Sequence, residues 1–124
     1  RDRYEIEVKR FEKYIVASDD YQVLGCAWIQ DAHEDGADCE IVALYVRYDK
    51  RNKGIGKKLL NEAVSRFRKD GKKKMIIWCL KDNHDSRKFY EINGGIEHKG
   101  SSHNWGGREY EMISYMYDLD MMNI

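Results

Sequence analysis

The chain has 124 residues, of which 42% are hydrophobic and 35% are charged, and its 22 Lys and Arg residues balance its 22 Asp and Glu residues. This length and composition are typical of one globular domain with its own hydrophobic core. The zero net charge argues against a protein that binds long nucleic acids, because their phosphates select for a basic excess. Any basic cluster is therefore expected to bind a small anion.

The three cysteines indicate neither disulfides nor a metal site. Cys26, Cys39 and Cys79 lie in apolar segments without metal-ligand spacing, so we expect free thiols and no metal. The first ten residues are too charged for a signal peptide, and no apolar run approaches transmembrane length. We therefore predict a cytoplasmic protein that does not bind membranes. One domain is predicted over residues 1–124, and the absence of an initial Met leaves truncated N-terminal elements as an alternative.

The first half of the chain is rich in β-strand signals. Residues 4–12 fit either a helix or a strand. Residues 13–18 and 22–30 are β-rich runs on either side of Asp19-Asp20, which predicts a hairpin. A polar, acidic loop is predicted at 31–38. The nearly all-apolar residues 39–46 then predict a buried strand.

The second half alternates helices and strands. Apolar residues recur at helical spacing from Ile55 to Phe67, and Asp70-Gly71 is a helix stop. A second buried strand is predicted at 74–80, followed by a short helix that closes at Asn93-Gly94. Two final strands, 96–100 and 108–119, are predicted on either side of a loop rich in Gly, Ser and Asn.

This order predicts an α/β (α+β) fold. The strand–helix–strand order in the middle predicts a right-handed crossover between parallel strands. Hairpins on either side make the remaining strands antiparallel. We therefore expect a single domain with a mixed, mostly antiparallel sheet, flanking helices and one central parallel β-α-β unit.

The stretch "RNKGIGKKLL", residues 51–60, lies between a predicted strand and a predicted helix. The first turn of a helix has unpaired backbone N–H groups and a partial positive charge, which together attract phosphate. Gly54 and Gly56 would let a phosphate reach this backbone, and the lysines would add charge-assisted contacts. The alternative is a simple turn before a solvated helix. Neither the Walker pattern nor the three-glycine dinucleotide pattern is present.

Two blocks of sequence resemble a known family. Arg51-Asn52-Lys53-Gly54-Ile55-Gly56 resembles the R/Q-x-x-G-x-G/A signature of the GNAT superfamily of acyl-CoA N-acyltransferases. A second block that contains Asn83, Ser86, Phe89, Tyr90 and Gly94 resembles the family's N-x-x-A/S-x-x-x-Y-E-x-x-G pattern. The resemblance covers roughly residues 13 to 119. It implies the GNAT fold, with the N-terminal strand and helices shortened or missing here.

The resemblance implies acetyl-CoA as co-substrate and a set of residues that bind it. The pyrophosphate would lie on the turn before the helix, the pantetheine arm would pair with the end of the central strand, and the short second helix would add contacts. The implied coenzyme-binding residues are Leu44, Tyr45, Val46, Arg51, Asn52, Lys53, Gly54, Ile55, Gly56, Lys57, Asn83, Ser86, Lys88 and Phe89.

The resemblance also implies a reaction, the attack of a neutral amine on a thioester. Tyr90 matches the family's general acid, a phenol near the departing sulfur. Glu40 is the candidate general base, because some family members carry a glutamate at the matching strand position. A lone carboxylate in an apolar strand also suits that role, and the alternative places Glu40 at a solvated strand end. Asp38 is a weaker candidate.

The acceptor is left open by the sequence. Acidic residues between 31 and 38 could attract a cationic amine or could simply be solvated. Trp28, His33, His103, Asn104 and Trp105 are candidates for an acceptor pocket. The predicted partners are acetyl-CoA and a small-molecule or protein amine, with a homodimer as one alternative. The competing hypothesis is a non-catalytic acyl-CoA-binding or regulatory module of the same fold.

Overall fold

The computed structural model describes residues 6–50 and 54–122 of the chain. Seven strands form one sheet in the order β1-β2-β3-β4-β5-β7-β6. The strands are β1 Glu7–Arg10, β2 Tyr14–Ser18, β3 Val23–Glu34, β4 Ala37–Val46, β5 Lys74–Leu80, β6 Ile96–Trp105 and β7 Arg108–Asp118. The helices are α1 Ile55–Lys69 and α2 His84–Ile92, and two short 3-10 helices lie at Tyr48–Lys50 and Leu119–Met121. The predicted fold class is confirmed.

The central crossover is the predicted parallel unit. β4 and β5 are parallel neighbours and are joined through α1, while the other strand pairs are antiparallel. Their pairing is short: Cys39 to Ile41 of β4 pair with Met75 to Ile77 of β5. Beyond Ile41 the two strands separate. The edge of β4 from Val42 onward therefore has no strand partner on its β5 side among the described residues.

Both helices contribute to a core on one face of the sheet, here called the helix face. The apolar stripe of α1 packs there against the inward-facing residues of β2 to β5, and Tyr90 of α2 joins it beside Tyr115 and Tyr117 of β7. A smaller cluster lies on the opposite face, where Ala32 and Ala37 pack with Ile76. Residues 6–122, apart from 51–53, place no helix over that second face. β4 alternates between buried and half-buried residues from Ala37 to Ile41, and none of its residues from Val42 to Val46 is buried, so it is not the fully buried strand predicted at 39–46.

The acidic loop predicted at 31–38 is wrong. β3 continues to Glu34 and β4 begins at Ala37, so only Asp35 and Gly36 form the turn. Both turn residues have positive φ, 50° and 88°. This is the conformation of a type I′ hairpin turn, and Asp-Gly is one of its favoured sequences. The polar side chains concealed the strand because they lie on an extension of the hairpin beyond the main core.

The loop predicted after residue 100 is also wrong. β6 extends to Trp105 and β7 starts at Arg108, and the turn consists of Gly106 and Gly107 alone. Their φ values of 60° and 80° again fit a two-residue hairpin turn. Ser and Asn residues with low strand propensity join the strand because their backbone groups pair with β7.

The N-terminal part of the sheet is short. Residues 4–12, which fitted either structure in the sequence, include the four-residue strand β1, which pairs with β2. Three residues, 11–13, connect these two strands, so no helix lies between them. The Asp19 turn is confirmed, since its carboxylate accepts the N–H groups of Tyr21 and Gln22 at 2.8 and 2.9 Å. No helix among the described residues is long and apolar enough to cross a membrane.

Candidate active site

A cavity of about 650 Å³ lies on the helix face, between the end of β4, the start of α1 and helix α2. This volume is in the range of ordinary small-molecule sites. The predicted coenzyme residues that line it are Leu44, Val46, Gly54, Gly56, Lys57, Ser86, Lys88 and Phe89. Tyr90 lines the same cavity. Two segments that are thirty residues apart in the chain, the glycine turn and α2, therefore meet at one site.

The start of α1 is not capped by a side chain of residues 6–50 or 54–122. Gly54 is the N-cap residue with φ 79°, and the first turn of the helix contains no acidic residue. Lys57 and Lys58 lie in that turn. Free backbone N–H groups, the helix dipole and two lysines all favour a bound anion here. Gly56 packs closely against Phe89, since a Cβ atom on Gly56 would lie 3.2 Å from the tip of that ring.

Three of the described coenzyme candidates, Tyr45, Ile55 and Asn83, do not line the cavity. Arg51, Asn52 and Lys53 lie outside the described residues. The Ile55 side chain is buried in the core, which leaves only its backbone for a ligand. The Tyr45 side chain is 56% exposed and does not line the cavity. The Asn83 side chain caps α2 by accepting the backbone N–H of Ser86 at 3.2 Å.

Tyr90 is the buried residue of α2 and lies at the cavity wall. Its ring packs between Phe89 and Tyr115, with centroid distances of 5.6 and 5.8 Å. Burial, together with the neighbouring Cys79 thiol, raises the pKa of the Tyr90 phenol to about 12. The phenol therefore stays protonated at neutral pH and can donate a hydrogen bond, while the raised pKa makes it a weaker acid than an ordinary tyrosine.

Residues that the sequence analysis did not select tie α2 to the sheet. Arg87 donates through Nε to the Tyr115 hydroxyl at 2.9 Å and through Nη2 to Glu97 at 2.8 Å. The Tyr115 hydroxyl donates in turn to Glu91 at 2.6 Å. The alternating tyrosines of "SYMYD" were the available sequence signal, because side chains two apart on β7 share one face.

Glu40 lies within β4, three residues after its first residue, Ala37. It is half-buried and accepts a hydrogen bond from the Gln30 side chain at 3.0 Å. Its sheet neighbour on β5 is Ile76, which packs in the cluster on the second face. Since paired residues point to the same face, Glu40 and Tyr90 lie on opposite faces of the sheet. The pairing of β4 with β5 ends at Ile41, one residue beyond Glu40.

Asp38 is a poor base. Burial favours the protonated acid, but the backbone N–H groups of Lys73 and Lys74 outweigh it and hold the pKa of the Asp38 carboxyl below its ordinary value. These hydrogen bonds measure 2.9 and 3.0 Å. A carboxylate with a lowered pKa and occupied oxygens has little capacity to accept a further proton.

The other acidic residues of the β3–β4 hairpin also have partners. Asp31 forms an ion pair with Lys72 at 3.2 Å, and Asp35 forms one with Lys99 at 3.4 Å. Glu34 accepts the indole N–H of Trp78 at 3.2 Å. The last two contacts reach β5 and β6, so the hairpin tip folds over the second face of the sheet. These carboxylates are engaged within the domain.

The aromatic candidates for an acceptor pocket do not form one cluster. His103 and Trp105 stack at 5.3 Å on the β6–β7 hairpin, whereas Trp28 stacks on Tyr14 at the other side of the sheet. Asn104 accepts the backbone N–H of Gly107 at the hairpin turn. His33 lies exposed near the β3–β4 turn. The acceptor site is thus not defined by these residues.

Solved structures with the same fold are numerous. One is a GNAT family acetyltransferase from Elizabethkingia anophelis with acetyl-CoA bound, with a TM-score of 0.71, 16% identity and coverage of 95% of this chain and 99% of that chain. The ribosomal-protein-S18-alanine N-acetyltransferase from Escherichia coli matches with a TM-score of 0.72 and 16% identity, over 92% of this chain and 74% of that chain. An IAA acetyltransferase from Bacillus cereus has a TM-score of 0.72 and 21% identity, over 85% and 76% of the two chains.

At these low sequence identities, the TM-scores establish a shared fold alone. The family is established by a match of the sequence to a family model. No curated protein sequence matches the chain. The family model described as "Acetyltransferase (GNAT) family" matches residues 1–94, which include the glycine turn and all of α2. This match covers well over half of the 124 residues. The chain therefore belongs to the GNAT family of acetyltransferases.

Proposed function

We propose that this domain transfers an acetyl group from acetyl-CoA to a primary amine by direct attack, without a covalent enzyme intermediate. The observation that carries the proposal is one cavity that is lined both by the start of α1, which no described side chain caps, and by Tyr90. The first feature suits the phosphates of a coenzyme, and the second suits its reactive end. Acetyl-CoA bound to the Elizabethkingia anophelis neighbour supports the same ligand.

The donor would bind along three parts of the cavity. Its pyrophosphate would accept backbone N–H groups of residues Arg51 to Lys57, of which Gly54 to Lys57 are described, with added charge from the basic side chains. Its pantetheine arm would use the edge of β4 at Tyr45 and Val46, with which no described strand pairs on the β5 side. Lys88 and Phe89 of α2 would contact the opposite side of the arm.

The reaction requires one base and one acid. The amine nitrogen must lose a proton and attack the carbonyl carbon of the thioester. The C–S bond then breaks, and the coenzyme thiolate takes a proton. We assign Tyr90 as the donor of that proton, because its phenol is protonated at neutral pH and lines the cavity. Glu40 is the candidate base, on the opposite face where an acceptor would approach the gap between β4 and β5.

The test of this function is a thiol-release assay with acetyl-CoA and spermidine, kanamycin, phenethylamine and an N-terminal alanyl peptide. Wild type is expected to turn over at least one of these amines. Tyr90→Phe is expected to lower kcat by about 10²-fold at unchanged acetyl-CoA affinity. The matched control is Tyr110→Phe, which removes a phenol from the β6–β7 hairpin beyond the end of β5.

Glu40→Gln is expected to lower kcat by about 10²-fold and to shift the pH optimum upward, because an amine must then lose its proton to solvent. Its control is Glu109→Gln, on the far hairpin. Full activity of Glu40→Gln would remove Glu40 from the mechanism while leaving the donor site unaffected. Calorimetry measures that donor site separately, and failure to bind acetyl-CoA at all would refute the assignment of the cavity.

The alternative function is a non-catalytic acyl-CoA-binding or regulatory module. The uncovered second face favours it, because no helix closes an acceptor site there among the described residues. It predicts acetyl-CoA binding with no turnover of any amine. Retained binding in Tyr90→Phe together with absent turnover in wild type would support this alternative.

A further inference from the structure

The direction of the Tyr90 phenol is not set by a hydrogen bond of its own. Within residues 54–122 its hydroxyl has no hydrogen-bond partner among the side chains, and it opens to the cavity. The orientation of the Tyr90 phenol toward a ligand therefore depends on the Tyr90 backbone and on the packing of its ring. Both restraints come from one strand, β7.

The backbone restraint is a hydrogen bond from a buried tyrosine. Tyr117 is fully buried, and its hydroxyl donates to the backbone carbonyl of Tyr90 at 3.0 Å. The same carbonyl accepts the backbone N–H of Gly95 at 2.8 Å. It lies in the last turn of α2, where helix carbonyls lack intrahelical partners. Two donors therefore fix the carbonyl of the residue that carries the phenol.

Gly95 leaves the space that this contact needs. A Cβ atom on Gly95 would lie 2.9 Å from the Tyr117 hydroxyl, from its ring carbon and from the Tyr90 carbonyl oxygen. Any larger residue would push Tyr117 away from α2. A phenylalanine at 117 would fill the same core space without the cost of burying a hydroxyl. The hydroxyl is therefore explained by its one bond, which ends at Tyr90.

The ring restraint comes two residues earlier on the same strand. The Tyr115 ring packs against the Tyr90 ring at 5.8 Å, and its hydroxyl is fixed between Arg87 and Glu91. Arg87 and Glu91 flank Tyr90 on α2. Tyr115 therefore holds the helix on both sides of Tyr90 while it contacts the ring.

We infer that Tyr117 is a positioning residue for the reaction, which holds the Tyr90 phenol toward the cavity through the Tyr90 backbone carbonyl. The inference rests on the proposed role of Tyr90 as general acid. Tyr117 itself does not line the cavity, so it acts through Tyr90 and not on the ligand.

The experiment is a double-mutant cycle on the intact chain with Tyr117→Phe, Tyr90→Phe and both changes together. Kinetics use whichever amine of the panel above is turned over, and calorimetry gives the acetyl-CoA affinity. Tyr117→Phe is expected to lower kcat about tenfold, with the affinity changed by less than about twofold. The double variant is expected to be no slower than Tyr90→Phe, because a residue that acts through another is non-additive with it. Tyr110→Phe is again the control.

A second readout does not need turnover. Protein labelled with ¹³C at tyrosine Cζ gives one phenol signal for Tyr90, which the spectrum of Tyr90→Phe identifies. In Tyr117→Phe this signal is expected to titrate at lower pH than in wild type, because a displaced ring gains solvent contact. A merely structural role for Tyr117 would lower stability and leave this titration in place.

The outcomes separate the two proposals. Multiplying effects in the double variant, or an unchanged Tyr90 titration in Tyr117→Phe, would overturn this inference alone. Full activity of Tyr90→Phe would show that Tyr90 is not the general acid, and Tyr117 would then have no catalytic residue to position. A lower kcat in each single variant, with no further loss in the double variant, supports the roles of both Tyr90 and Tyr117.

Discussion

Gly56 and Phe89 are in close contact at the wall of the cavity. In Gly56→Ala the new methyl group would lie 3.2 and 3.3 Å from two carbons of the Phe89 ring, so this ring, which lines the cavity, must shift. We expect acetyl-CoA affinity to fall at least about tenfold while the free energy of unfolding changes by less than about 1 kcal/mol, since helix propensity offsets the crowding. Calorimetry and urea denaturation measure the two quantities.

Gly71 is the matched control for this change. It has φ 81° at the end of α1, and a Cβ atom on it would meet nothing within 4 Å. Gly71→Ala is expected to lower the free energy of unfolding by about 1 kcal/mol because of backbone strain, and to keep acetyl-CoA affinity. Equal affinities in the two variants would show that Gly56 is not required at the ligand site.

Tyr90 makes the stability of the domain depend on alkaline pH. The pKa of its phenol is about 12 in the folded state, above the ordinary value of 10.0. The folded chain therefore holds this proton more tightly than the unfolded chain. The contribution is fully present below pH 10 and is lost as the pH rises toward 12. A shift of this size corresponds to about 2–3 kcal/mol.

The measurement is urea denaturation at several pH values between 9 and 11.5. Wild type is expected to lose stability more steeply than Tyr90→Phe across this range, since the variant has no phenol to ionise at that position. Tyr110→Phe should follow wild type. Parallel curves for wild type and Tyr90→Phe would contradict the burial of the phenol in solution.

At the scale of elements, α2 is a short helix that depends on its ends and on a few contacts. It has nine residues, and its first turn is capped by the Asn83 side chain. Asn83→Ala is expected to cost about 1 kcal/mol of unfolding free energy, the ordinary cost of a lost N-cap. Because α2 carries Phe89 and Tyr90, we also expect weaker acetyl-CoA binding.

Asn61→Ala is the control for that cap, because Asn61 lies in the middle of α1, where alanine is the better helix former. It should keep or slightly raise the stability. Thermal unfolding of both variants, with and without acetyl-CoA, measures the effects. A stable Asn83→Ala variant with normal affinity would show that the cap is not important for α2.

The hairpins show which elements local sequence specifies. Asp19 fixed its turn because one carboxylate accepts two nearby N–H groups, a contact that needs only local chain. The β3–β4 turn at Asp35-Gly36 carried an equally local signal, which the surrounding acidic residues obscured. The strand character of residues 31–34 and 101–105 depends instead on pairing with a neighbouring strand, which composition does not encode.

At the scale of the whole molecule, charge balance is local as well as global. The run of three lysines at 72–74 resembles a nucleic-acid patch in the sequence. Each lysine instead forms an ion pair, with Asp31 at 3.2 Å, Asp120 at 3.3 Å and Asp118 at 2.9 Å respectively. The start of α1 differs, because its first turn has lysines and no acid. The basic charge of that turn faces a cavity that Lys57 and Lys88 line together with one acid, Asp85.

One continuous sheet with one main core predicts a single unfolding transition. The core on the helix face includes residues from β2, β3, β4, β5 and β7 and from both helices. Tryptophan fluorescence and far-UV circular dichroism are expected to give coincident urea curves. The three tryptophans report on β3, β5 and β6, so they sample distant parts of the sheet. Separate transitions would divide the chain into more than one folding unit.

Chain-local patterns determined much of this protein. Residue spacing predicted the apolar face of α1, its end at Asp70-Gly71 and the order of the central crossover, because backbone geometry converts spacing into faces and turns. The two motif blocks indicated the family. Only the tertiary structure decided that Glu40 and Tyr90 lie on opposite faces and that Tyr117 reaches the Tyr90 carbonyl. Those contacts join residues 27 or more positions apart, and their geometry depends on how β4, β5 and α2 pack together.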